Sequence, residues 1–248
     1  MKRISFFLVT LLAATAVSAQ TYPLKPIRVL TAEPGGGNDF TARTIAQAIG
    51  SQLGQPWVID NRGGAGGLIA IETAARAPSD GYTLLVYAQN VWTIPLLRKG
   101  VHYEVKDFAP ITWIARSPCT LVVHPSLPVH SVQDLIALAK ARPGQLSYGA
   151  GGVGTITHLS AELFKSIAKV EILFVPYKGN GPAMNDLIGG QVQMMFGTAG
   201  TVAPHVRSGR VRAIAVTSAE PSPLAPGLPT FAASGLPGYE SISMYGIY

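Results

Sequence analysis

The chain repeats one local pattern, in which a short apolar strand leads into a glycine-rich loop and then into a helix. Residues 27–30 predict a strand, residues 33–39 (EPGGGND) a loop, and residues 40–53 a helix that ends at Gly54. A second glycine loop at residues 61–67 (NRGGAGG) precedes the next helix. This alternation favours a parallel sheet flanked by helices, with the functional loops at the carboxyl ends of the strands.

The same pattern returns in the second half of the chain. An apolar strand at residues 121–123 is followed by a helix for which Ser131 is the predicted N-cap. A brief strand at residues 146–148 then runs into the loop 149–155 (GAGGVGT) and another helix. The unpaired N–H groups at helix N-termini attract anions. Two such loops facing each other across a cleft could therefore hold a carboxylate without an arginine.

The first residues predict export. Lys2 and Arg3 precede an apolar stretch at residues 6–16 and small residues at 17–19, the order typical of a secretory signal peptide over residues 1–19. The apolar stretch is too short to span a bilayer, and no later segment is long and apolar enough to do so. With 48% apolar and 13% charged residues, the chain has the composition of a well-packed exported α/β protein, and we expect it in the periplasm.

The sequence argues against several classes of function. The basic residues are scattered without interleaved aromatics, which argues against a nucleic-acid surface. The glycine loops match neither dinucleotide nor phosphate-loop patterns, so no cofactor is expected. Cys119 stands alone within an apolar strand and is interpreted as a buried core residue. No metal site is expected, because the histidines lack metal-ligand spacing; they are His102, His124, His130, His158 and His205.

An enzyme is not expected, because the chain has no G-x-S-x-G nucleophile motif. One alternative stays open, in which an exported, hydrolase-like α/β enzyme uses His158 with a nearby hydroxyl such as Thr155. Another alternative is a binding module that signals to a membrane sensor.

Motifs along the whole chain after the signal peptide resemble the Bug family, the solute-binding components of tripartite tricarboxylate transporters. They are residues 22–28 (YPLKPIR), 34–39 (PGGGND), 60–67 (DNRGGAGG), 78–85 (PSDGYTLL), 147–158 (SYGAGGVGTITH), 175–179 (VPYKG), 186–192 (DLIGGQV), 228–230 (LPT) and 235–239 (GLPGY). The resemblance implies an α/β, two-lobed periplasmic-binding-protein fold (Venus flytrap, type II) with two strands crossing between the lobes. Lobe one would comprise residues 20–117 with 239–248 returning to it, and lobe two residues 118–238. Against the family pattern, the C-terminal part of lobe one is expected to be missing.

The resemblance also implies the ligand and the partners. A small carboxylic acid would bind in the cleft between the lobes, held largely by backbone groups, and a monomeric protein would pass it to membrane permease subunits. The expected ligand-binding residues are Ala32, Glu33, Pro34, Gly35, Gly36, Asp39, Ala88, Gln89, Gly149, Ala150, Gly152, Thr155, Thr157, His158, Tyr177, Gly179 and Thr198.

Glu33 departs from the family, which commonly has an uncharged residue beside the proline. If it faces the cleft, its carboxylate would repel an acid or pair with a cationic group such as an amine; if it faces solvent, it has no such role. Ala150 replaces a frequent serine, and Thr198 follows a strand where an acidic residue is frequent. The sequence therefore leaves the identity of the ligand open.

Overall fold

The computed structural model describes residues 22–248. The predicted signal peptide lies outside the described residues. Within residues 22–248, no helix combines the length and apolar character needed to cross a membrane.

Strands and helices alternate along most of the described chain, as the sequence predicts. The strands are β1 (Ile27–Thr31), β2 (Trp57–Asn61), β3 (Thr83–Ala88), β4 (Thr112–Val123), β5 (Ser147–Ala150), β6 (Leu173–Pro176), β7 (Met194–Thr198), β8 (Arg212–Val216) and β9 (Ile242–Ile247). The helices are α1 (Gly37–Leu53), α2 (Leu68–Ala75), α3 (Asn90–Leu97), α4 (Val132–Ala141), α5 (Ile156–Ala168), α6 (Asn180–Ile188) and α7 (Ala199–Arg207).

All the strands belong to one mixed sheet with the order β2-β1-β3-β9-β4-β7-β5-β6, and β8 pairs with β4 outside this path. Strand β1 runs parallel to β2 and β3, and β5 runs parallel to β6 and β7. Strands β4 and β9 are antiparallel to their neighbours. The expected α/β class is confirmed, with parallel pairing confined to the two ends of the sheet.

Strand β4 changes partners along its length. Thr112 to Pro118 pair with β9, whereas Cys119 to Val123 pair with β7 and β8. We call β1–β3 and α1–α3 lobe one, and β5–β8 and α4–α7 lobe two. Strands β4 and β9 connect the two lobes.

Each lobe has its own apolar core. In lobe two, Phe164 of α5 is fully buried and packs with Phe196 and Phe231 at ring-centroid distances of 6.2 and 5.8 Å. Cys119 is fully buried in the same cluster, as expected, and burial raises the pKa of its thiol to about 12. Ser131 caps α4 as predicted, since its side chain accepts a hydrogen bond from the Asp134 N–H.

Four elements were not anticipated from the sequence. Helices α3 and α7 each contain an internal proline, Pro95 and Pro204, and prolines usually end a helix. Strand β9 and the first half of β4 were also missed. Both pair along their whole length with strands that are distant in sequence, so long-range pairing decides their conformation.

Candidate functional site

Five helix N-termini meet between the two lobes. Helices α1 and α3 begin after strands of lobe one, and α5, α6 and α7 begin after strands of lobe two. They surround a small cavity of about 30 Å³ between the lobes. The cavity is lined by Ala32, Glu33, Gly37, Asn38, Gly66, Tyr87, Ala88, Asn90, Gly151, Thr155, Ile156, Asn180, Thr198, Ser243 and Tyr245. None of these lining residues has a cationic side chain, so the positive character of the site comes from helix ends.

Glu33 of lobe one reaches across the cleft to lobe two. Its Oε1 atom accepts a hydrogen bond of 3.2 Å from the backbone N–H of Asn180, the first residue of α6. Burial raises the pKa of the Glu33 carboxyl, while hydrogen bonds from backbone N–H groups, including that of Asn180, partly offset this effect. The question that the sequence left open is therefore answered, because the Glu33 side chain lies in the cleft.

Glycines bring the two lobes into direct contact. A Cβ atom added at Gly66 would lie 2.7 Å from the carbonyl oxygen of Val153, and one added at Gly152 would lie 3.1 Å from the Cα atom of Gly66. A Cβ atom at Gly37 would overlap the hydroxyls of Tyr245 and Thr198. No L side chain fits these contacts without displacing backbone or buried atoms, so the closed arrangement requires glycine.

Threonines arrange the lobe-two side of the cavity. The Thr155 hydroxyl donates to the Gly152 carbonyl and accepts from the His158 N–H, capping α5. The Thr157 hydroxyl donates to Oδ1 of Asn180. These bonds fix the glycine loop relative to the starts of α5 and α6.

A family model described as "Tripartite tricarboxylate transporter family receptor" matches residues 41–248. The chain belongs to this family. It is 38% identical over 251 aligned positions to BugT of Bordetella pertussis, covering 98% of this chain and 76% of BugT. The expected membership of the Bug family is thereby confirmed.

Solved structures of similar proteins support the same family assignment. An R. palustris protein solved with adipate is 40% identical, with a TM-score of 0.88 over 91% of this chain and 77% of that one. MatC from Rhodopseudomonas palustris with bound malate is 29% identical, with a TM-score of 0.85 over 91% of this chain and 78% of that one. The receptor thus has the periplasmic-binding-protein fold predicted from the sequence and spans about three quarters of these relatives.

The predicted ligand-binding residues of the receptor fall into two groups. Ala32, Glu33, Ala88, Thr155 and Thr198 line the cavity. The others are not among the lining residues: Pro34, Gly35, Gly36, Asp39, Gln89, Gly149, Ala150, Gly152, Thr157, His158, Tyr177 and Gly179.

Some residues of the second group have other contacts that explain their position. Gln89 is buried, and its side-chain oxygen accepts from the Met244 N–H of β9. The Tyr177 hydroxyl donates to the Asp186 carboxylate of α6. Gly152 and Gly179 contact the opposite lobe directly, through Gly66 and Glu33.

Four lining residues lie outside the loops that supplied the expected ligand-binding residues. Gly66 belongs to the second glycine loop, whose strand-end position was a usable signal. Tyr87 lies within β3, and Ser243 and Tyr245 lie in β9. Nothing in the local sequence brings β9 to the cavity, because its pairing between β3 and β4 places it there.

The hydrolase-like alternative of a Thr155–His158 pair is not supported by the geometry. The Thr155 hydroxyl hydrogen is directed to a backbone carbonyl. The His158 ring packs against Phe174 at a centroid distance of 4.5 Å, and its Nδ1 atom lies 3.5 Å from the Gly154 nitrogen. Burial lowers the pKa of the imidazole. The two side chains therefore do not form a nucleophile–base pair.

Asp39 holds the glycine loop of lobe one in place. Its buried carboxylate accepts hydrogen bonds from the Arg43 guanidinium, the Asn61 amide and the Gly35 N–H. Burial alone would raise the pKa of Asp39, but these donors lower it below its usual value of 3.8. The carboxylate is thus stabilised as an anion in the folded protein.

We expect Asp39→Ala to lower the free energy of unfolding by about 1–3 kcal/mol at pH 7, because it removes the buried carboxylate that accepts these three charge-assisted hydrogen bonds. A folded-state pKa below the unfolded value means that the contribution is present above about pH 3.8 and is lost as the pH falls below it. Urea titrations at several pH values measure both effects. Asp60→Ala, which removes more exposed pairs with Arg28 and Arg62, should cost only about 0–1 kcal/mol. Equal losses for both variants would contradict this role of Asp39.

Proposed function

We propose that this receptor is exported to the periplasm, binds a small carboxylate between its lobes as a monomer, and passes it to the permease subunits of a tripartite transporter. The convergence of five helix N-termini on one cavity is the observation that carries this proposal. A helix N-terminus has N–H groups without a carbonyl partner inside the helix and carries the positive end of the helix dipole, and together these favour an anion. The adipate and malate bound by its structural neighbours are carboxylates of suitable chemistry.

Capture would proceed by closure of the lobes. Residues of both lobes line the cavity, so the lobes would separate to admit an acid and close around it. The change of partners in β4 at Pro118 supports a hinge at the proposed boundary between the lobes. Ligand would favour the closed form because only there do α1 of lobe one and α6 of lobe two both contact it.

A thermal-shift screen tests the proposal. We expect a cognate acid at about a hundred times its Kd to add about 2.7 kcal/mol of stability. For a chain of this size that corresponds to a rise in Tm of about 5–10 °C. The panel should contain mono- and dicarboxylates, hydroxy acids, amino acids and aromatic acids, each with its uncharged amide as the matched control. Equal shifts with acid and amide, or no shift with any acid, would contradict an anion site.

A further inference from the structure

The cleft already contains one carboxylate, that of Glu33. Its side chain passes between two glycines: a Cβ atom at Gly63 would lie 2.6 Å from the Glu33 Cβ, and one at Gly179 would overlap the Glu33 side chain. At the end of this passage, Oε1 accepts the Asn180 N–H at the start of α6. Glu33 thus occupies an N–H group that would otherwise be free to bind the acid group of a ligand.

The charge of Glu33 is not neutralised by a neighbouring cation. The nearby Asp39 adds negative charge, and its own partner Arg43 binds Asp39 and Asn61 rather than Glu33. The lining of the cavity, all of it within the described residues, contains no lysine, arginine or histidine. A dicarboxylate would therefore place two further negative charges beside Glu33 without any cationic side chain.

An acid that binds at the N-terminus of α6 takes away the hydrogen-bond donor of the Glu33 carboxylate. The Asn180 N–H carries one hydrogen, so a ligand carboxylate that accepts it displaces Glu33. The displaced carboxylate remains in the cleft, where a buried charge is costly unless it is paired and hydrogen-bonded. A primary ammonium group on the ligand offers three N–H donors and the opposite charge.

We propose that Glu33 makes the cleft select a ligand with one carboxylate and one amine over a dicarboxylate of the same length. The carboxylate binds at the helix N-termini, and the ammonium group binds Glu33. This specificity rests on the proposed function, since it assumes that the cleft binds a small acid. It distinguishes this chain from a receptor whose cleft presents helix ends alone to both acid groups of a dicarboxylate.

Two matched ligand sets test the proposal by calorimetry on the full chain. One is adipate, 6-aminohexanoate and hexanoate; the other is succinate, 4-aminobutanoate and butanoate. We expect the amino acid of a set to bind the wild-type protein about tenfold or more tightly than the diacid of that set. Glu33→Gln keeps the size and the hydrogen-bond acceptor but removes the charge, so the ratio should fall about tenfold or reverse. Glu220→Gln removes the same single negative charge from an exposed residue that does not line the cavity. This control variant should leave the ratio unchanged.

Three other outcomes of the calorimetry would each contradict the proposed role of Glu33. A diacid that binds wild type and Glu33→Gln equally well overturns the role of Glu33 but leaves the proposed function intact. Diacids that bind only Glu33→Gln, with no amino acid binding wild type, would show that Glu33 blocks the cleft, and the ammonium pairing would be wrong. If no variant binds any compound of either set or any acid of the wider panel, the proposed function and this inference both fail.

Discussion

Replacing Gly66 with alanine is expected to weaken ligand binding by about 10- to 100-fold, because overpacking of a close contact typically costs about 1–3 kcal/mol. The added methyl group would lie 2.7 Å from the Val153 carbonyl oxygen, an atom of the backbone that cannot rotate away. The nearest atoms belong to the opposite lobe, so the clash is relieved when the lobes separate. The open form should therefore be little affected, whereas the closed form is destabilised.

Gly144→Ala is a matched control for this experiment. The φ angle is +68° at Gly144 and +70° at Gly66, so alanine meets the same backbone strain at both positions. Apart from Gly144 itself and its two chain neighbours, no residue has a heavy atom within 4 Å of a Cβ atom added at Gly144. Both variants should lose similar stability without ligand, and only Gly66→Ala should lose affinity for the tightest-binding acid of the panel. Small-angle scattering should also show Gly66→Ala as more extended with ligand present. Equal affinities for the two variants would contradict closure through the Gly66–Val153 contact.

Phe164→Ala should lower the free energy of unfolding by about 3–5 kcal/mol, the range for deleting a buried aromatic ring. The ring is fully buried in lobe two, between α5 and the sheet, where it packs against Phe196 and Phe231. Its removal leaves a cavity in a cluster of aromatic rings that cannot close without moving a helix. Because α5 begins at the cleft, loosening this helix also disturbs the position of Thr155.

Urea denaturation of Phe164→Ala measures this loss as a shift of the midpoint at constant slope. Leu96→Ala is the control, since Leu96 is 84% exposed on α3 and its truncation should cost no more than about 0.5 kcal/mol. A loss below about 1.5 kcal/mol for Phe164→Ala would show that α5 is held mainly by other contacts.

The sequence predicted those parts of the molecule that local patterns determine. Glycine loops at strand ends, the Ser131 cap and the burial of Cys119 all follow from short segments, and the structure contains each of them. Loops expected to form the site do surround the cavity, because the carboxyl ends of parallel strands in each lobe share one edge.

The rest depends on pairing between distant residues. Tyr245 reaches the cavity only because β9 inserts between β3 and β4, and the residues around it give no local indication of this. Likewise, solvent exposure and burial in the cleft are equally compatible with the sequence around Glu33. The hydrogen bond to Asn180, 147 positions away along the chain, decides between them.

The pairing of Pro118 with Ile242 has a consequence for how such receptors can diversify. The whole of lobe two lies between these neighbouring residues, as an insert whose entry and exit points touch. A recombination event that exchanged this insert would replace one wall of the binding site and leave the wall that carries Glu33 intact. The wall formed by lobe two can then be altered by swapping a single continuous stretch of gene, without rebuilding the other wall.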